Sequence, residues 1–392
     1  MRLSDRVSQM EESVTLAASA RAKALKAEGR DILSLTLGEP DFVTPKNIQD
    51  AAIASIQDGK ASFYTVASGL PELKDAISTY MQNFYGYSVN RNEVVVGTGA
   101  KFILYAFFAT VLNPGDEVII PTPCWVSYVD QVKMVDGVPV TFPTTEANHF
   151  KATVEQLEAA RTDKTKVLLL NSPSNPTGMV YGKDELQAIG DWAVEHGILI
   201  LADDIYGRLV YNGNEFTAIS SLSDAIRKQT IVINGVSKTY AMTGWRVGFA
   251  VGEPDIIAGM AKVISQTTSN LTAVSQYATI EALTGDQSSI EEMRQAFEER
   301  LNTIYPLLAE VPGFEVVKPQ GAFYLFPNVK KAMEIKGYTD VTSFTTAILE
   351  EAEVALVTGA GFGAPENVRL SYATDLDTLK EAVRRIKAFM EK

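Results

Sequence analysis

Residues 198–206 read ILILADDIY, five apolar residues followed directly by two carboxylates. Strands that are buried on both faces of a parallel sheet read as continuous apolar runs rather than as alternating patterns. The run therefore predicts a central strand with Asp203 and Asp204 at its carboxyl end. Open parallel sheets bind their ligands at the carboxyl ends of the strands. The stretch thus indicates both the kind of fold and the edge of the sheet at which chemistry is expected.

Six further apolar runs flank this strand, and helical patterns separate several of them. The runs span residues 93–96, 117–120, 138–142, 167–170, 230–234 and 247–251. Strands that alternate with helical segments are typical of parallel sheets with crossover helices. The pattern predicts an α/β fold in which a mostly parallel, seven-stranded sheet has helices on both faces.

After about residue 285 the pattern changes to long amphipathic helices separated by short strands. Helices are predicted at 289–310 and 375–392, and strands at 314–317 and 322–326. We interpret the change as a smaller α+β domain over residues 285–392, which follows a large domain over 45–284. Residues 1–44 contain an alanine-rich helical stretch at 14–28. We expect this N-terminal segment to contribute to the small domain.

Composition and charge exclude several classes of protein. Hydrophobic residues make up 46% of the 392 residues and charged residues 21%, which is ordinary for a globular chain. The net charge is -13 and no stretch concentrates lysine and arginine, so we expect neither nucleic acid nor a membrane as a partner. The apolar runs fall short of the ~20 residues that a membrane helix needs. One cysteine, Cys124, and the lack of a leading apolar segment favour a cytoplasmic protein. No metal-binding pattern is present.

Small and basic residues follow two of the predicted strands. Residues 97–101 read GTGAK and open a predicted helix, whose free N–H groups and dipole suit a phosphate. Glycines at such a turn also allow close packing of the helix. The GTGAK sequence alone therefore does not distinguish a phosphate site from a packing role. Arg246 follows another strand and can hold a phosphate in a bidentate manner.

Polar side chains follow the two neighbouring apolar runs. Residues 171–178 read NSPSNPTG, and the amide of Asn175 can donate a hydrogen bond to a ring oxygen. An Asx-type turn is the alternative for this loop. Asp203 comes directly after buried residues, where a carboxylate is costly without a partner such as a protonated ring nitrogen. Capping of a helix is the alternative for this residue.

Residues 235–246 read GVSKTYAMTGWR and contain the lysine on which the chemistry depends. When a lysine ammonium is partly desolvated and lies near other cations, its pKa falls and the free amine becomes a nucleophile toward an aldehyde. Lys238 is the candidate for this role. A solvated lysine in a surface loop is the alternative.

Taken together, these loops resemble those of the fold-type I aminotransferases, and the resemblance is to the bacterial subgroup Ib of the aspartate aminotransferase family. The resemblance covers nearly the whole chain. It rests on SLTLGEPDF, GTGAK, NPGDEVIIPTPCWVSY, NSPSNPTG, ADDIYGRLVY, NGVSKTYAMTGWRVGF, GAFYLF and NVRLSYAT, in this order. It implies pyridoxal 5'-phosphate as the cofactor, amino acids and 2-oxo acids as substrates, and a homodimer with shared active sites.

The resemblance also implies roles for individual residues around the cofactor ring. Lys238 would carry the cofactor covalently and act in catalysis, and Asp203 would pair with the pyridine nitrogen. Asn175 and Tyr206 would hold the phenolic oxygen. Trp125 would stack on the ring and, like Asn175, would lie near the substrate.

Further roles concern the cofactor phosphate and the substrate carboxylate. Arg369 would bind the substrate α-carboxylate in a bidentate fork, with the Gly38 backbone beside it. The groups implied for the phosphate are Gly99, Ala100, Lys101, Ser237 and Arg246, together with Tyr64 of the partner subunit.

Two departures from the family pattern bear on details. Gly235 stands where many relatives place a phosphate-binding serine, and Cys124 precedes Trp125 where an aromatic residue is usual. Relatives that accept prephenate often carry a lysine in the early helix region, whereas residues 10–13 here read MEES. We therefore expect no prephenate activity.

The preferred reaction, by resemblance, is L-aspartate with 2-oxoglutarate giving oxaloacetate and L-glutamate. Aromatic or alanine aminotransferases and carbon–sulfur lyases share Lys238, Asp203 and Arg369, so they are alternatives on the same fold. The GTGAK and NPTG loops favour transamination over lyase chemistry. A ligand-sensing protein without turnover is the alternative from another class, but the chain lacks the basic N-terminal domain that would bind DNA.

Overall fold

A computed structural model describes residues 4–8, 10 and 14–392 of the chain. The helices are α1 (Asp5–Ser8), α2 (Val14–Ala27), α3 (Lys46–Gln57), α4 (Pro71–Tyr85), α5 (Gly99–Val111), α6 (Ser127–Met134), α7 (Val154–Ala160), α8 (Lys183–Glu195), α9 (Asp224–Gln229), α10 (Pro254–Thr267), α11 (Ala273–Thr284), α12 (Ser288–Ala309), α13 (Lys330–Lys336), α14 (Val341–Glu351) and α15 (Leu376–Glu391). The strands are β1 (Leu33–Ser34), β2 (Val94–Thr98), β3 (Glu117–Thr122), β4 (Val138–Pro143), β5 (Thr165–Asn171), β6 (Leu199–Asp203), β7 (Thr230–Gly235), β8 (Val247–Val251), β9 (Tyr324–Leu325), β10 (Val354–Ala355), β11 (Val357–Thr358) and β12 (Val368–Ser371).

The seven predicted strands form one sheet in the order β2-β8-β7-β6-β5-β3-β4. Strand β8 is antiparallel to both of its neighbours, and the pairs among β3 to β7 are parallel. The prediction of an α/β fold with a mostly parallel, seven-stranded sheet is confirmed. The strand bounds differ from the predicted ones by two residues or fewer.

Strand β6 is buried on both faces, as its apolar sequence predicts. Ile200 and Ala202 pack in the cluster that contains α8, and Leu201 packs on the opposite face with residues of α5 and α10. Strand β4, by contrast, pairs only with β3 and is largely exposed. Proline has no N–H to donate to a second neighbouring strand. An edge strand such as β4 can therefore contain Pro139 and Pro143.

The C-terminal region contains a three-stranded antiparallel sheet in the order β11-β12-β9, and α12 packs against α15. Strand β9 lies within the predicted strand at 322–326. The strand predicted at 314–317 is wrong, because Glu315 makes only an isolated bridge with Asn328. The segment that contains Asn328 continues into helix α13 at Lys330. Its extended part is therefore too short to pair with more of residues 314–317.

The N-terminal segment is joined to the C-terminal region rather than to the large sheet. Strand β1 pairs in parallel with β10, and the Leu35 carbonyl accepts a hydrogen bond from the Ser371 N–H at 2.8 Å. The assignment of residues 1–44 to the small domain stays a prediction. The domain boundaries at 44/45 and 284/285 stay a prediction. Within the described part of the chain, no helix combines the length and the apolar content that crossing a membrane requires.

Candidate active site

A cavity of about 420 Å³ lies at the carboxyl ends of β2, β5, β6 and β7. The strand-end loops singled out in the sequence meet there. The predicted site residues that line it are Gly38, Ala100, Lys101, Trp125, Asn175, Asp203, Tyr206, Ser237, Lys238, Arg246 and Arg369. Further lining residues are Thr15, Leu16, Leu37, Glu39, Leu104, Tyr128, Asn171, Ile205, Thr243 and Tyr324. Among the described residues, no group of three or more histidine, cysteine or acidic side chains is arranged to hold a metal ion.

Lys238 lies in the cavity as a half-buried amine rather than as a solvated surface lysine. Its Nζ donates a hydrogen bond to the Gly38 carbonyl, and the rings of Tyr206 and Phe323 lie 6.0 Å away. Burial lowers the pKa of Lys238 to about 8, and Arg246 contributes in the same direction. The amine is therefore far easier to deprotonate than a solvated lysine, as a nucleophile or general base requires.

Asp203 lies at the end of β6, only 3% exposed. The Tyr128 hydroxyl donates a hydrogen bond of 2.7 Å to its Oδ2. Burial raises the pKa of Asp203 to about 6, while the hydrogen bonds from Tyr128 and from the Ile205 N–H oppose the rise. No helix begins after this residue, so the capping interpretation is wrong. A buried carboxylate of this kind is stabilised by a cationic partner inside the cavity.

Arg369 lines the cavity and is held in place by several contacts. Its two terminal nitrogens donate to Asn175 Oδ1 and to the Thr36 carbonyl, each at 2.9 Å. Its guanidinium stacks on the rings of Tyr324 and Phe362, with centroids at 4.5 and 5.0 Å. Its Nε is buried and has no hydrogen-bond partner among the described residues. An arginine held in this way is preorganised for a carboxylate.

Two tyrosines connect the arginine to the lysine. The hydroxyl groups of Tyr206 and Tyr324 are 2.8 Å apart and share a hydrogen bond. Burial raises the pKa of both side chains, so both are neutral phenols at physiological pH. The Asn175 side chain accepts from Arg369 through its oxygen, and within the described part of the chain its amide nitrogen stays available as a donor.

The start of α5 forms the anion-binding end of the cavity. The preceding Thr98 makes no side-chain hydrogen bond to the helix, so the first N–H groups stay available. The guanidinium of Arg246 lies directly against Gly99, where any Cβ would overlap it. A Cβ on Gly248 would likewise overlap the Ala100 backbone. Because both positions are glycine, the Arg246 guanidinium and the first N–H groups of α5 lie close together. This combination suits a phosphate.

Of the two departures noted in the sequence, the structure explains the glycine at position 235. A Cβ on Gly235 would lie 2.7 Å from the Val247 carbonyl oxygen, so this backbone leaves no room for the serine of many relatives. Ser237, two residues on, is buried and lines the cavity. Cys124 is buried, and burial raises the pKa of its thiol to about 12, so it is not a reactive cysteine.

Two predicted features lie apart from the cavity. Tyr64 is 91% exposed and does not line the site of its own chain. Gly99 lies behind Arg246 and is not itself part of the lining. Residues 11–13 of the stretch used to argue against prephenate lie outside the described residues, and so that prediction has no structural counterpart.

Sequence reasoning missed two tyrosines and one backbone group in the site. Tyr128 bonds to Asp203, Tyr324 bonds to Tyr206 and stacks on Arg369, and the Thr36 carbonyl orients Arg369. The tyrosines lie within the WVSY and GAFYLF segments that carry the resemblance. Their place in those segments was the available signal, but the segments alone did not give them a role.

The fold and the cavity together define a class of protein. A parallel sheet that gathers a deprotonatable lysine, a buried carboxylate and an anion-binding helix start at one edge is the arrangement of a fold-type I pyridoxal 5'-phosphate enzyme. The donor set fits this cofactor. Asp203 can pair with its cationic ring nitrogen, Lys238 with its aldehyde, and Arg246 with its phosphate. Because Gly99 has no side chain, Arg246 lies against the start of α5, where the free backbone N–H groups suit the same phosphate.

Comparisons with known proteins agree with this class. The family model "Aminotransferase class I and II" matches residues 30–386. An asparagine–oxo-acid transaminase of Streptococcus mutans is 76% identical over 391 residues, and an aspartate aminotransferase of Bacillus subtilis is 52% identical over 392 residues, with 100% of each chain covered in both cases. A solved aspartate aminotransferase of Thermus thermophilus with maleate has a TM-score of 0.94 at 38% identity, covering 99% of this chain and 100% of that one.

The chain therefore belongs to the class I and II aminotransferases, within the aspartate aminotransferase family of pyridoxal 5'-phosphate enzymes. It transfers an amino group from an amino acid to a 2-oxo acid. The predicted family and cofactor are confirmed.

Proposed function

We propose that the amino donor is L-aspartate and that 2-oxoglutarate is the acceptor, so that oxaloacetate and L-glutamate are formed. The observation that carries this proposal is the ammonium of Lys101 at the cavity wall, 4.8 Å from the centroid of the Trp125 ring. Arg369, Arg246 and Lys238 have other roles in the proposed site. Lys101 is therefore the cation available for a second carboxylate, at the far end of a dicarboxylic substrate.

The ligand of one solved relative supports a dicarboxylate. The Thermus thermophilus relative was solved with maleate, a four-carbon dicarboxylate. The chain carries a net charge of -13, so attraction by the whole protein cannot select an anionic substrate. Selection must come from local cations, and Arg369 and Lys101 form such a pair.

A second candidate donor is L-asparagine, because the Streptococcus mutans relative is an asparagine–oxo-acid transaminase and is 76% identical. Glu39 supports this candidate, since its carboxylate also lines the cavity and accepts a hydrogen bond of 2.9 Å from the Thr243 hydroxyl. A carboxamide has both an acceptor and two donors. It can therefore accept from Lys101 and donate to Glu39, whereas a carboxylate can use only the cation.

The remaining roles follow the contacts in the cavity. When bound, pyridoxal 5'-phosphate supplies an aldehyde that takes up the amino group and a cationic ring that accepts the electron pair released at the substrate α-carbon. Asp203 keeps the ring nitrogen protonated, and Asn175 with Tyr206 hydrogen-bonds the phenolic oxygen. Trp125 packs on the ring. The phosphate is held by the backbone N–H groups of Gly99, Ala100 and Lys101 at the start of α5 and by the side chains of Ser237 and Arg246, so this role does not use the Lys101 ammonium.

Arg369 and Lys238 act on the substrate itself. Arg369 binds the α-carboxylate as a bidentate fork and so orients the bond between the α-carbon and its proton. The Gly38 backbone lies beside this carboxylate. The Nζ of Lys238 accepts that proton as a general base and later returns it as a general acid. One cavity serves both half-reactions, and we therefore expect ping-pong kinetics.

We also propose a homodimer in which Tyr64 reaches the phosphate of the partner subunit. The support is an apolar segment that this chain leaves uncovered between residues 43 and 66. Its exposed side chains are Val43, Ile53, Ile56, Phe63, Tyr64 and Val66. A surface of this kind is typical of an interface between proteins.

Mixing two inactive variants tests the shared site. In a heterodimer of K238A and Y64A chains, one site combines an intact Lys238 with the partner's intact Tyr64. We expect the mixture to recover about a quarter of the wild-type activity after random reassembly, because half of the dimers are then mixed and each has one intact site. No recovery, or a monomer by sedimentation equilibrium, would refute the shared site. Each variant alone is the control.

The substrate proposal is tested by K101Q with a panel of donors. Loss of a charged hydrogen bond should lower kcat/KM for L-aspartate by roughly 10- to 100-fold, and for L-asparagine by less, because the glutamine amide still donates to the carboxamide. The values for L-alanine and L-phenylalanine should change little. K262Q, which removes an exposed lysine on α10, is the matched control.

The panel also separates the alternative activities. Prephenate is included as an acceptor, and released sulfide is measured with L-cysteine as the substrate. Equal losses of kcat/KM for L-aspartate and L-phenylalanine in K101Q would contradict the proposed role of Lys101. Sulfide release faster than transamination would favour a carbon–sulfur lyase.

A further inference from the structure

Strand β6 is followed by two successive carboxylates that lie on opposite faces of the sheet. Asp203 lines the cavity, whereas Asp204 is buried on the face that packs against α4. The Tyr85 hydroxyl donates to Asp204 Oδ2 at 3.0 Å and accepts a hydrogen bond of 3.0 Å from the side-chain amide of Asn234. The oxygen of Asn234 in turn accepts from the Gly235 N–H at 2.7 Å.

We propose that Asp204, Tyr85 and Asn234 form a positioning network, here called the reverse-face network, that fixes Asp203 relative to the loop of Lys238. The three residues belong to the end of β6, to α4 and to β7. The network therefore connects the ends of β6 and β7 to α4 through hydrogen bonds, on the side of the sheet opposite the cavity. This inference rests on the roles proposed for Lys238 and Asp203.

The hydroxyl at the centre of the network has little freedom to move. Tyr85 is the last residue of α4, and its ring packs edge-to-face on Phe84, Tyr87 and Phe216 at centroid distances of 5.4, 6.2 and 6.1 Å. Such packing fixes the ring in a buried aromatic cluster. The hydroxyl is consequently held at a fixed position between Asp204 and Asn234, unlike the hydroxyl of an exposed tyrosine.

The protonation state of Asp204 matters because Asp203 is its neighbour in the chain. Burial and the adjacent Asp203 raise the pKa of Asp204 well above its usual range, and the single hydrogen bond from Tyr85 only partly opposes this. A neutral Asp204 adds no negative charge next to Asp203. The raised pKa favours this neutral form, in which Asp204 contributes position without adding a second charge near the cofactor ring.

The charged groups that face the reactive amine are on the cavity side. Glu39 and Asp203 raise the pKa of Lys238, and Arg246 and Arg369 lower it. A displacement of Asp203 relative to the Lys238 loop changes this balance. It should therefore be visible in the pH at which the absorbance of the bound cofactor changes, independently of turnover.

Y85F is the first test, because it removes one hydroxyl and keeps the ring. In holoenzyme titrated spectroscopically, we expect the midpoint of the absorbance change to shift by about 0.5 pH units or more, because the distance between Asp203 and the amine changes. We also expect kcat to fall roughly 10-fold with KM nearly unchanged, since small misplacements of reacting groups are costly. Hydrogen exchange at the Gly235 N–H should become faster in the apoenzyme.

Y87F is the matched control. The Tyr87 hydroxyl shares a hydrogen bond of 2.9 Å with Ser220 Oγ, and its ring belongs to the same aromatic cluster as Tyr85. Its loss should lower the melting temperature without moving the absorbance midpoint or kcat. If Y85F lowers the melting temperature but leaves the midpoint and kcat at wild-type values, the network is merely structural and the proposal is overturned.

Variants of Asp204 keep the test decisive if Y85F fails to fold. D204N retains a neutral acceptor for the Tyr85 hydroxyl and should behave as wild type, whereas D204A should shift the midpoint as Y85F does. Equal shifts in D204N and D204A would overturn the proposal. K238A separates this inference from the proposed function, because normal turnover in K238A would refute the role of the lysine whatever the network does.

Discussion

Replacement of Lys238 by alanine is expected to reduce turnover by roughly 10⁴-fold or more while the fold is retained. In the proposed mechanism, the variant loses both the amine that binds the cofactor aldehyde and the base that moves the substrate α-proton. The side chain makes one described hydrogen bond, to the Gly38 carbonyl, so its removal disturbs little packing. Steady-state assays with L-aspartate and 2-oxoglutarate, together with circular dichroism, measure the two effects separately.

K238R distinguishes a requirement for the amine from a requirement for its charge. Arginine keeps the positive charge but does not deprotonate in proteins, so K238R should be as inactive as K238A. In the wild type, the pKa of Lys238 near 8 means that the free amine increases as the pH rises through about 8. The rate of cofactor incorporation into the apoenzyme should therefore rise with pH over this range.

The control for these variants is K166A, which removes a lysine that pairs with Asp116 outside the cavity. It should retain wild-type turnover. Turnover above about one hundredth of the wild-type rate in K238A would contradict the proposed role, because general acid–base catalysis alone contributes about 10²-fold or more.

The large sheet was predictable because its strands other than β4 are largely buried on both faces. Continuous apolar runs such as residues 198–202 have few alternatives in a chain of this length, and turns separate them clearly. The small strands were not predictable in the same way. Strands β9, β10 and β11 have two residues each, and their pairing depends on contacts with distant segments.

The part of the candidate site that could be predicted from the sequence consists of residues that come shortly after a predicted strand. Asp203 and Lys238 each follow a buried strand, so the rule that ligands bind at the carboxyl ends of strands brings them together. Arg369 and Trp125 could be assigned only through the resemblance. Arg369 lies far along the chain from its partner Asn175, and no local pattern indicates that they meet.

Tyr128 and Tyr324 explain why reasoning from motifs left the site incomplete. A tyrosine three residues after a tryptophan or within an apolar run is usually a packing residue. Only the tertiary structure brings the Tyr128 hydroxyl to Asp203 and the Tyr324 ring under Arg369. Supporting hydrogen bonds of this kind depend on distances between elements, which a single sequence does not provide.

Replacement of Arg369 by lysine is expected to raise KM for L-aspartate by roughly 100-fold, with a smaller fall in kcat. The arginine is 2% exposed and its plane is fixed by Asn175, by the Thr36 carbonyl and by stacking on Tyr324. Lysine keeps the charge. However, an ammonium cannot form two parallel hydrogen bonds to a carboxylate or reproduce the stacked plane.

R294K is the matched control, because Arg294 also forms a two-pronged contact with a carboxylate, that of Glu291, but on α12 outside the cavity. Exposed pairs of this kind contribute little, so its KM should stay within about 2-fold of the wild-type value. The acceptor has an α-carboxylate too, so R369K should raise KM for 2-oxoglutarate in parallel with KM for L-aspartate. A rise for one substrate alone would mean that the two α-carboxylates are bound by different groups, which contradicts a single cavity serving both half-reactions.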